Sequence, residues 1–351
     1  MHALQETLTT KQQCECMSNE QFFNKLIHDI THAQSHVFLS TFSWDSGILS
    51  ETIIKAIADL RNRRPQLPVS VSINRWYPHL KQHDWTPFPW RAEVDAAYRQ
   101  FQYEMHTLQN DLGVAIQWPI LNHEKCYVVD DTMYITDANI GDQHNTGQPI
   151  LENHDHAWPG LTIKIHNAVT VDTYLNGSSR LSMLTGAEII KQKAFGPRHI
   201  YKSLQESLAL PDCDSIILIS PYPGGAYFQL LAEASYSGIR TSLIQPSPDA
   251  RNRRPLSEHV SRFQINDPHI EMLSAGVAIG FSPTMFHGKV VIVGNKQGDE
   301  ELFIGSDNFD SNMRFHEVAC KTKDQTIIAQ AHQLFIDPLM QHALPFEDYY
   351  G

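Results

Sequence analysis

A chain of 351 residues, 42% apolar and 19% charged, can bury a full hydrophobic core, which excludes a disordered chain. Lys and Arg number 27 against 39 Asp and Glu, a net charge of −12. That balance disfavours a protein that coats nucleic acid through its phosphates, while leaving a local basic cleft open. No apolar run approaches the ~18 residues of a membrane helix. The start Met1-His2-Ala3-Leu4 lacks a secretory pattern, and five scattered cysteines suit a reducing compartment. A cytoplasmic protein, soluble or docked peripherally on a membrane, is expected.

His36 to Phe42 reads as a buried strand. A helix with apolar positions at Ile48, Ile53, Ile54, Ile57 and Leu60 follows, then a second strand at Pro68 to Ile73. A helical stretch around Arg91 to Asn110 leads to Gly113-Val114-Ala115-Ile116. The later half repeats this grammar. Strand Ser215 to Ser220 is followed by helix Tyr227 to Ser237, stopped by Gly238, and by strand Arg240 to Ile244. A helical stretch from Pro255 to Leu273 then leads to Gly276-Val277-Ala278-Ile279. The alternation predicts an α/β protein, and its repetition predicts two similar halves related by a pseudo-twofold, residues 1–185 and 186–351. Arg61-Asn62-Arg63-Arg64-Pro65 also recurs, at Arg251 to Pro255, but at a position that is not equivalent in the repeat. It reads as surface charge.

After each Gly-Val-Ala-Ile strand stands a His-x-Lys. The copies are His123-Glu124-Lys125 and His287-Gly288-Lys289, each opening an apolar run that ends at Asp130 or Gly294. The histidines lie 287 − 123 = 164 apart and the preceding glycines 276 − 113 = 163 apart, so the motif belongs to the repeat. In a strand, residues two apart share a face, which would aim His and Lys together. A short polar turn then places Asn139 in Asp137-Ala138-Asn139-Ile140-Gly141-Asp142 and Asn308 in Gly305-Ser306-Asp307-Asn308. The chemistry this suits is phosphodiester displacement. Lys125, Lys289, Asn139 and Asn308 supply charge and donors to the non-bridging oxygens. One imidazole attacks phosphorus, and the other protonates the leaving oxygen and then activates water or an alcohol. With two lysines in place of a divalent ion, neither metal nor cofactor is required.

At these residues the chain resembles the phospholipase D superfamily, whose signature is a duplicated HxKxxxxD followed by a G[GS]xN phrase. The resemblance runs from about Phe22 to Phe335. It implies a phospholipase D-like α-β-α sandwich in each half. It also implies a phosphodiesterase or phosphatidyltransferase acting on a glycerophospholipid, with water or alcohol as acceptor, through a phosphohistidine. The Asn-Ile-Gly-Asp phrase is similar to the phospholipase D and cardiolipin synthase branch. The resemblance assigns Glu317 to orient His287, which would leave His123 as nucleophile and His287 as general acid. Ser306 and Asp137 would meet the phosphate, and Asp130 would be structural. Three departures stand out: Gly294 in place of the second Asp, Asp137 in place of Gly or Ser, and Gly160 in place of a carboxylate, for which Asp155 is a candidate substitute.

The segment from Trp76 to Trp90 is rich in Trp and Pro. It reads equally as a stiffened surface loop and as an acyl-chain pocket or membrane lip. His154-Asp155-His156 reads as a solvated loop, not a metal site, and Cys14-Glu15-Cys16 as a frayed terminus with two thiols. Two rival functions follow from the same residues: a nuclease, which needs a basic groove, and a phosphate-binding module that has lost turnover.

Overall fold

In the computed structural model, which describes residues 13–76, 91–145, 158–178, 180–182, 187–247, 250, 267–309 and 315–350, the β-branched runs become strands buried on both faces. The first sheet contains β1 Gln13–Ser18, β2 Val37–Thr41, β3 Val69–Ile73, β4 Ala115–Gln117, β5 Cys126–Val129, β6 Thr132–Thr136 and β7 Leu161–His166. Its order is β1-β7-β6-β5-β2-β3-β4. The second contains β8 Arg180–Ser182, β9 Glu188–Gln192, β10 Cys213–Ile219, β11 Arg240–Pro246, β12 Ala278–Ser282, β13 Val290–Asn295, β14 Glu300–Gly305, β15 Glu317–Thr322 and β16 Leu344–Pro345. Its order is β16-β12-β11-β10-β13-β14-β15-β9-β8. Strip β16 and β8 from its edges, and the second sheet repeats the first strand for strand. The two-halved α/β fold follows.

Helix α1, Asn19–His32, opens with a reciprocal cap. Ser18 Oγ accepts the Gln21 amide, and the Gln21 side chain accepts the Ser18 amide. It buries Phe22, Phe23, Leu26 and Ile30 along one face, against Tyr127 and Tyr134 of the first sheet. Helix α2, Ile48–Arg63, covers the same face, and Asp142 Oδ1 and Oδ2 accept its first amides at Leu49 (2.7 Å) and Ile48 (3.0 Å). The helix Ala226–Tyr236 covers the second sheet with Tyr227, Leu230 and Leu231 buried. The inner faces meet in one core shared by both halves. Val128, Met133, Ile135 and Ile163 of the first sheet cluster with Val290, Ile292, Leu302 and Val318 of the second. Burial on this scale, at roughly 1.5–3 kcal/mol per large apolar side chain, joins the halves into a unit.

Several local expectations need correction. Cys14 and Cys16 are not in a frayed end but in β1, paired along its length with β7. The helical stretch at Arg91 ends at His106 and passes into a wider turn at Thr107–Asp111. The second helical stretch is described only as Asp267–Ser274. Trp90, His154, Asp155, His156 and the Arg251–Pro255 pentapeptide lie outside the described residues. Among the described residues no helix is long and apolar enough to cross a membrane.

Candidate active site

The two His-x-Lys pairs sit immediately before β5 and β13, not inside them as expected. The reason is where their amides go. His123 N donates to His316 O (3.0 Å), and His287 N donates to Pro159 O (2.9 Å), so each histidine is tied to the other half of the chain. His316 precedes Glu317, and Pro159 precedes Gly160. The symmetry therefore runs through the site.

The ring nitrogens follow the same crossing. His123 Nδ1 donates to Glu317 Oε1 at 2.8 Å, and His287 Nδ1 donates to the Asp137 carbonyl at 2.7 Å. Lys125 Nζ lies 3.0 Å from His123 Nε2, and Lys289 Nζ lies 3.0 Å from His287 Nδ1 and 3.2 Å from its Nε2. An ammonium has donors only, so His123 Nε2 accepts from Lys125; on His287 the Asp137 carbonyl can only accept, which puts the proton on Nδ1 and the lone pair on Nε2. Both imidazoles thus present an Nε2 lone pair toward a lysine. Glu317, assigned to His287 from the sequence, instead orients His123. Comparison within each half hid this, because the partner comes from the opposite half.

The remaining candidates divide. Asn139 Oδ1 accepts from Thr41 Oγ1 (3.4 Å) and Ser43 N (3.3 Å), beside β2. Asn308 stands at the equivalent turn, where its carbonyl accepts from Ser220 Oγ (2.6 Å). Ser306, expected on the phosphate, donates its hydroxyl to Glu317 Oε2 and accepts the Val318 amide, so it holds the carboxylate. The Asp137 carboxylate is likewise engaged, with the Leu161 amide and Asn19 Nδ2. Asp130 accepts the amides of Gln34, Ser35 and His36 and takes no part in the site. Burial would raise its carboxyl, but those donors hold it below the usual range. Trp76 is 56% exposed and is followed by the undescribed segment. Its amide bonds to Asn74 Oδ1, and Asn74 Nδ2 holds the carbonyl of Asn122, the residue before His123.

Aromatic neighbours complete the positioning, and sequence reasoning missed them. Phe42 meets His123 edge-on at 5.0 Å between centroids, and Phe315 lies 5.3 Å away. Trp158 stacks parallel on His287 at 5.5 Å, with His144 edge-on at 4.7 Å. Trp158 directly precedes Pro159-Gly160, and His144 follows the Asn-Ile-Gly-Asp phrase, so the only sequence signal was proximity to the motifs.

Burial dominates the electrostatics. It pushes Lys125 down to about 8, against the pull of Glu317, Asp137 and Asp307. Lys289 is driven well below the ordinary lysine range by burial and then by Lys125. His123 and His287 are lowered by burial and by the lysines, His144 adding to the effect on His287. Burial raises Glu317 to about 7. Every group is pushed toward its neutral form, so an incoming anion would draw protons back onto the lysines. Among the described residues no group of three or more His, Cys, Asp or Glu is placed to hold a metal ion.

No protein-family model matches the chain, and no curated protein matches its sequence. Solved structures do. Phosphatidylserine synthase from Haemophilus influenzae Rd KW20 matches at a TM-score of 0.70 and 14% identity, over 99% of this chain and 92% of that one. Polyphosphate kinase from Porphyromonas gingivalis matches at 0.57 and 13%, over 96% of this chain and 49% of that one. The H432N mutant of yeast tyrosyl-DNA phosphodiesterase matches at 0.50 and 10%, over 90% and 91%.

Proposed function

This chain has the phospholipase D superfamily fold, and from that premise we propose that it is a phosphodiester-processing enzyme, a phospholipase D-type hydrolase or phosphatidyltransferase acting on a glycerophospholipid. The observation that carries the reading is the pair of buried His-Lys units, each with its Nε2 lone pair turned to a lysine and its Nδ1–H held by the opposite half. His123 Nε2 attacks phosphorus, the bond to the leaving oxygen breaks, and His287, protonated once the anion is bound, gives that oxygen its proton. His287 then takes a proton from water or an alcohol, whose oxygen displaces His123 and breaks the phosphorus–nitrogen bond. Lys125, Lys289, Asn139 and Asn308 face the non-bridging oxygens.

The assignment of His123 as nucleophile stands for a reason opposite to the one read from the sequence. N-phosphorylation leaves a positive charge on the ring for the lifetime of the intermediate, and Glu317 compensates it. A lipid substrate is supported by the net charge of −12, by the likeness to a phosphatidylserine synthase, and by exposed Trp76, Trp118 and Ile120 in the turns after β3 and β4. Peripheral contact with a membrane follows from that substrate.

The test offers phosphatidylcholine and phosphatidylglycerol vesicles with and without 1-butanol, and plasmid and single-stranded DNA as controls. Release of phosphatidic acid, or of phosphatidylbutanol when the alcohol is present, is the expected result. Cleavage of DNA alone would make the chain a nuclease, and vesicle binding without turnover a binding module.

A further inference from the structure

The strand register reveals an exchange between the halves. Gly305 pairs with Ala319, and Thr136 pairs with Thr162, so Ser306 and Glu317 correspond to Asp137 and Gly160. In the second half a hydroxyl on the turn holds a carboxylate on the strand. In the first half the carboxylate is on the turn, and the strand position is bare. A Cβ built at Gly160 would lie 2.1 Å from Asp137 Oδ1 and 2.5 Å from its Cγ, so the Asp137 carboxyl fills the volume that a side chain at 160 would need. The carboxyl is fully buried and accepts from Leu161 N (2.9 Å) and Asn19 Nδ2 (3.1 Å). Asn19 is itself fixed, as the first residue of α1, with Thr162 Oγ1 donating to its Oδ1 at 3.3 Å. The carbonyl of this anchored residue accepts Nδ1–H of His287.

We propose that Asp137 is the positioning residue of His287, and that Asp137 and Gly160 are an exchanged pair doing from the turn what Glu317 does for His123 from the strand. The kinetic part rests on the phosphodiester reading above; the structural part does not. Asp137 acts by pinning its own carbonyl against Nδ1, which keeps the lone pair on Nε2. Its carboxyl also lies near Lys289, as do Glu317 and Asp307, and burial raises it toward its protonated form. The groups facing His287 are Lys289, His144, Lys125 and His123, and its Nδ1 partner is an uncharged carbonyl.

The experiment compares the full-length wild type with Asp137→Ser, Gly160→Glu and the double variant, which rebuilds the Ser306–Glu317 arrangement in the first half. Turnover of bis(4-nitrophenyl) phosphate is measured beside ¹⁵N imidazole titration of His287, assigned with His287→Asn. Each single variant should lose roughly 10²-fold in kcat, as expected for a misplaced reacting group. The double variant should recover at least tenfold over either single variant. His287 should be the Nδ1–H tautomer in the wild type and a mixture in Asp137→Ser. In the double variant it should again be Nδ1–H, with its pKa raised by about one unit or more by the new carboxylate. A folded Asp137→Ser with wild-type rate and tautomer overturns the positioning role. A double variant no better than its worse parent, with His287 unmoved, overturns the exchange. Should Gly160→Glu fail to fold, Gly160→Ala takes its place, since its Cβ already displaces Asp137 and must disturb the His287 tautomer. A wild type that turns over no phosphodiester but shows this tautomer pattern defeats the functional reading and leaves Asp137 in its role.

Discussion

Replacing Glu317 by Gln keeps the shape of the side chain and removes its charge from the group that holds His123. If the amide oxygen takes the place of Oε1, the Nδ1 bond survives and only the charge is lost. An opposite charge at hydrogen-bond distance is worth about 1–3 pKa units to an imidazole that must become cationic. At 1.36 kcal/mol per unit that is about 1–4 kcal/mol, or roughly 10- to 10³-fold in kcat. If instead the amide NH₂ faces Nδ1, the ring proton must move to Nε2, where Lys125 offers only donors, and the loss approaches the upper figure. The assay is kcat on bis(4-nitrophenyl) phosphate, with circular dichroism to show that the variant is folded. A folded Glu317→Gln within threefold of wild type would refute the argument. Stability should move the other way. Burial raises the Glu317 carboxyl from 4.5 to about 7, so between these values the native state holds a proton that the unfolded chain has released. Stability therefore falls as pH rises from about 4.5 to about 7, by up to about 3 kcal/mol. Gln removes that loss, so above pH 7 the variant should melt a few degrees higher than wild type, and below pH 4.5 the gain should vanish.

Four further outcomes are expected. His123→Ala and His287→Ala should each abolish most turnover, by at least ~10²-fold, and the double variant should be little worse than either, because both serve one cycle. Turnover should survive a chelator, since lysine charge takes the part of a divalent ion; complete loss restored by one specific ion would contradict this. Acid quench with labelled substrate should place the phosphoryl group on His123, and label on His287 would reverse the roles. Asp130→Asn should leave turnover intact and cost about 1 kcal/mol after solvent screening, read by urea unfolding. Because the Asp130 carboxyl is held low, its contribution is present above the ordinary carboxylate range and is lost as pH falls through its native value.

The candidate site residues were legible because they occur twice. His123, Lys125 and Asn139 match His287, Lys289 and Asn308 by spacing after the same Gly-Val-Ala-Ile phrase, and the strand order confirms that the two halves are alike. What was not legible is contact across the halves. The family resemblance, applied within the second half, gave Glu317 to His287, while the fold hands it to His123. Gly160 looked like a lost carboxylate, whereas the volume its side chain would need is filled by the Asp137 carboxyl. Ser306 and Asp137 carry polar groups at the expected turn, but burial demands that those groups be satisfied, and local donors and acceptors claim them first. Trp158, Phe42 and Phe315 had no periodicity to announce them, since they stand on loops whose approach to the rings depends on tertiary packing.

The crossed tethers have a consequence for how such a chain can change over generations. Each copy supplies the tether for its sibling's histidine, Glu317 and His316 on one side and Asp137 and Pro159 on the other. On the proposed reading, a lesion in either copy would loosen a histidine in the other as well as its own. Change is then confined to compensated steps, and the exchange proposed for Asp137 and Gly160 would be one such step.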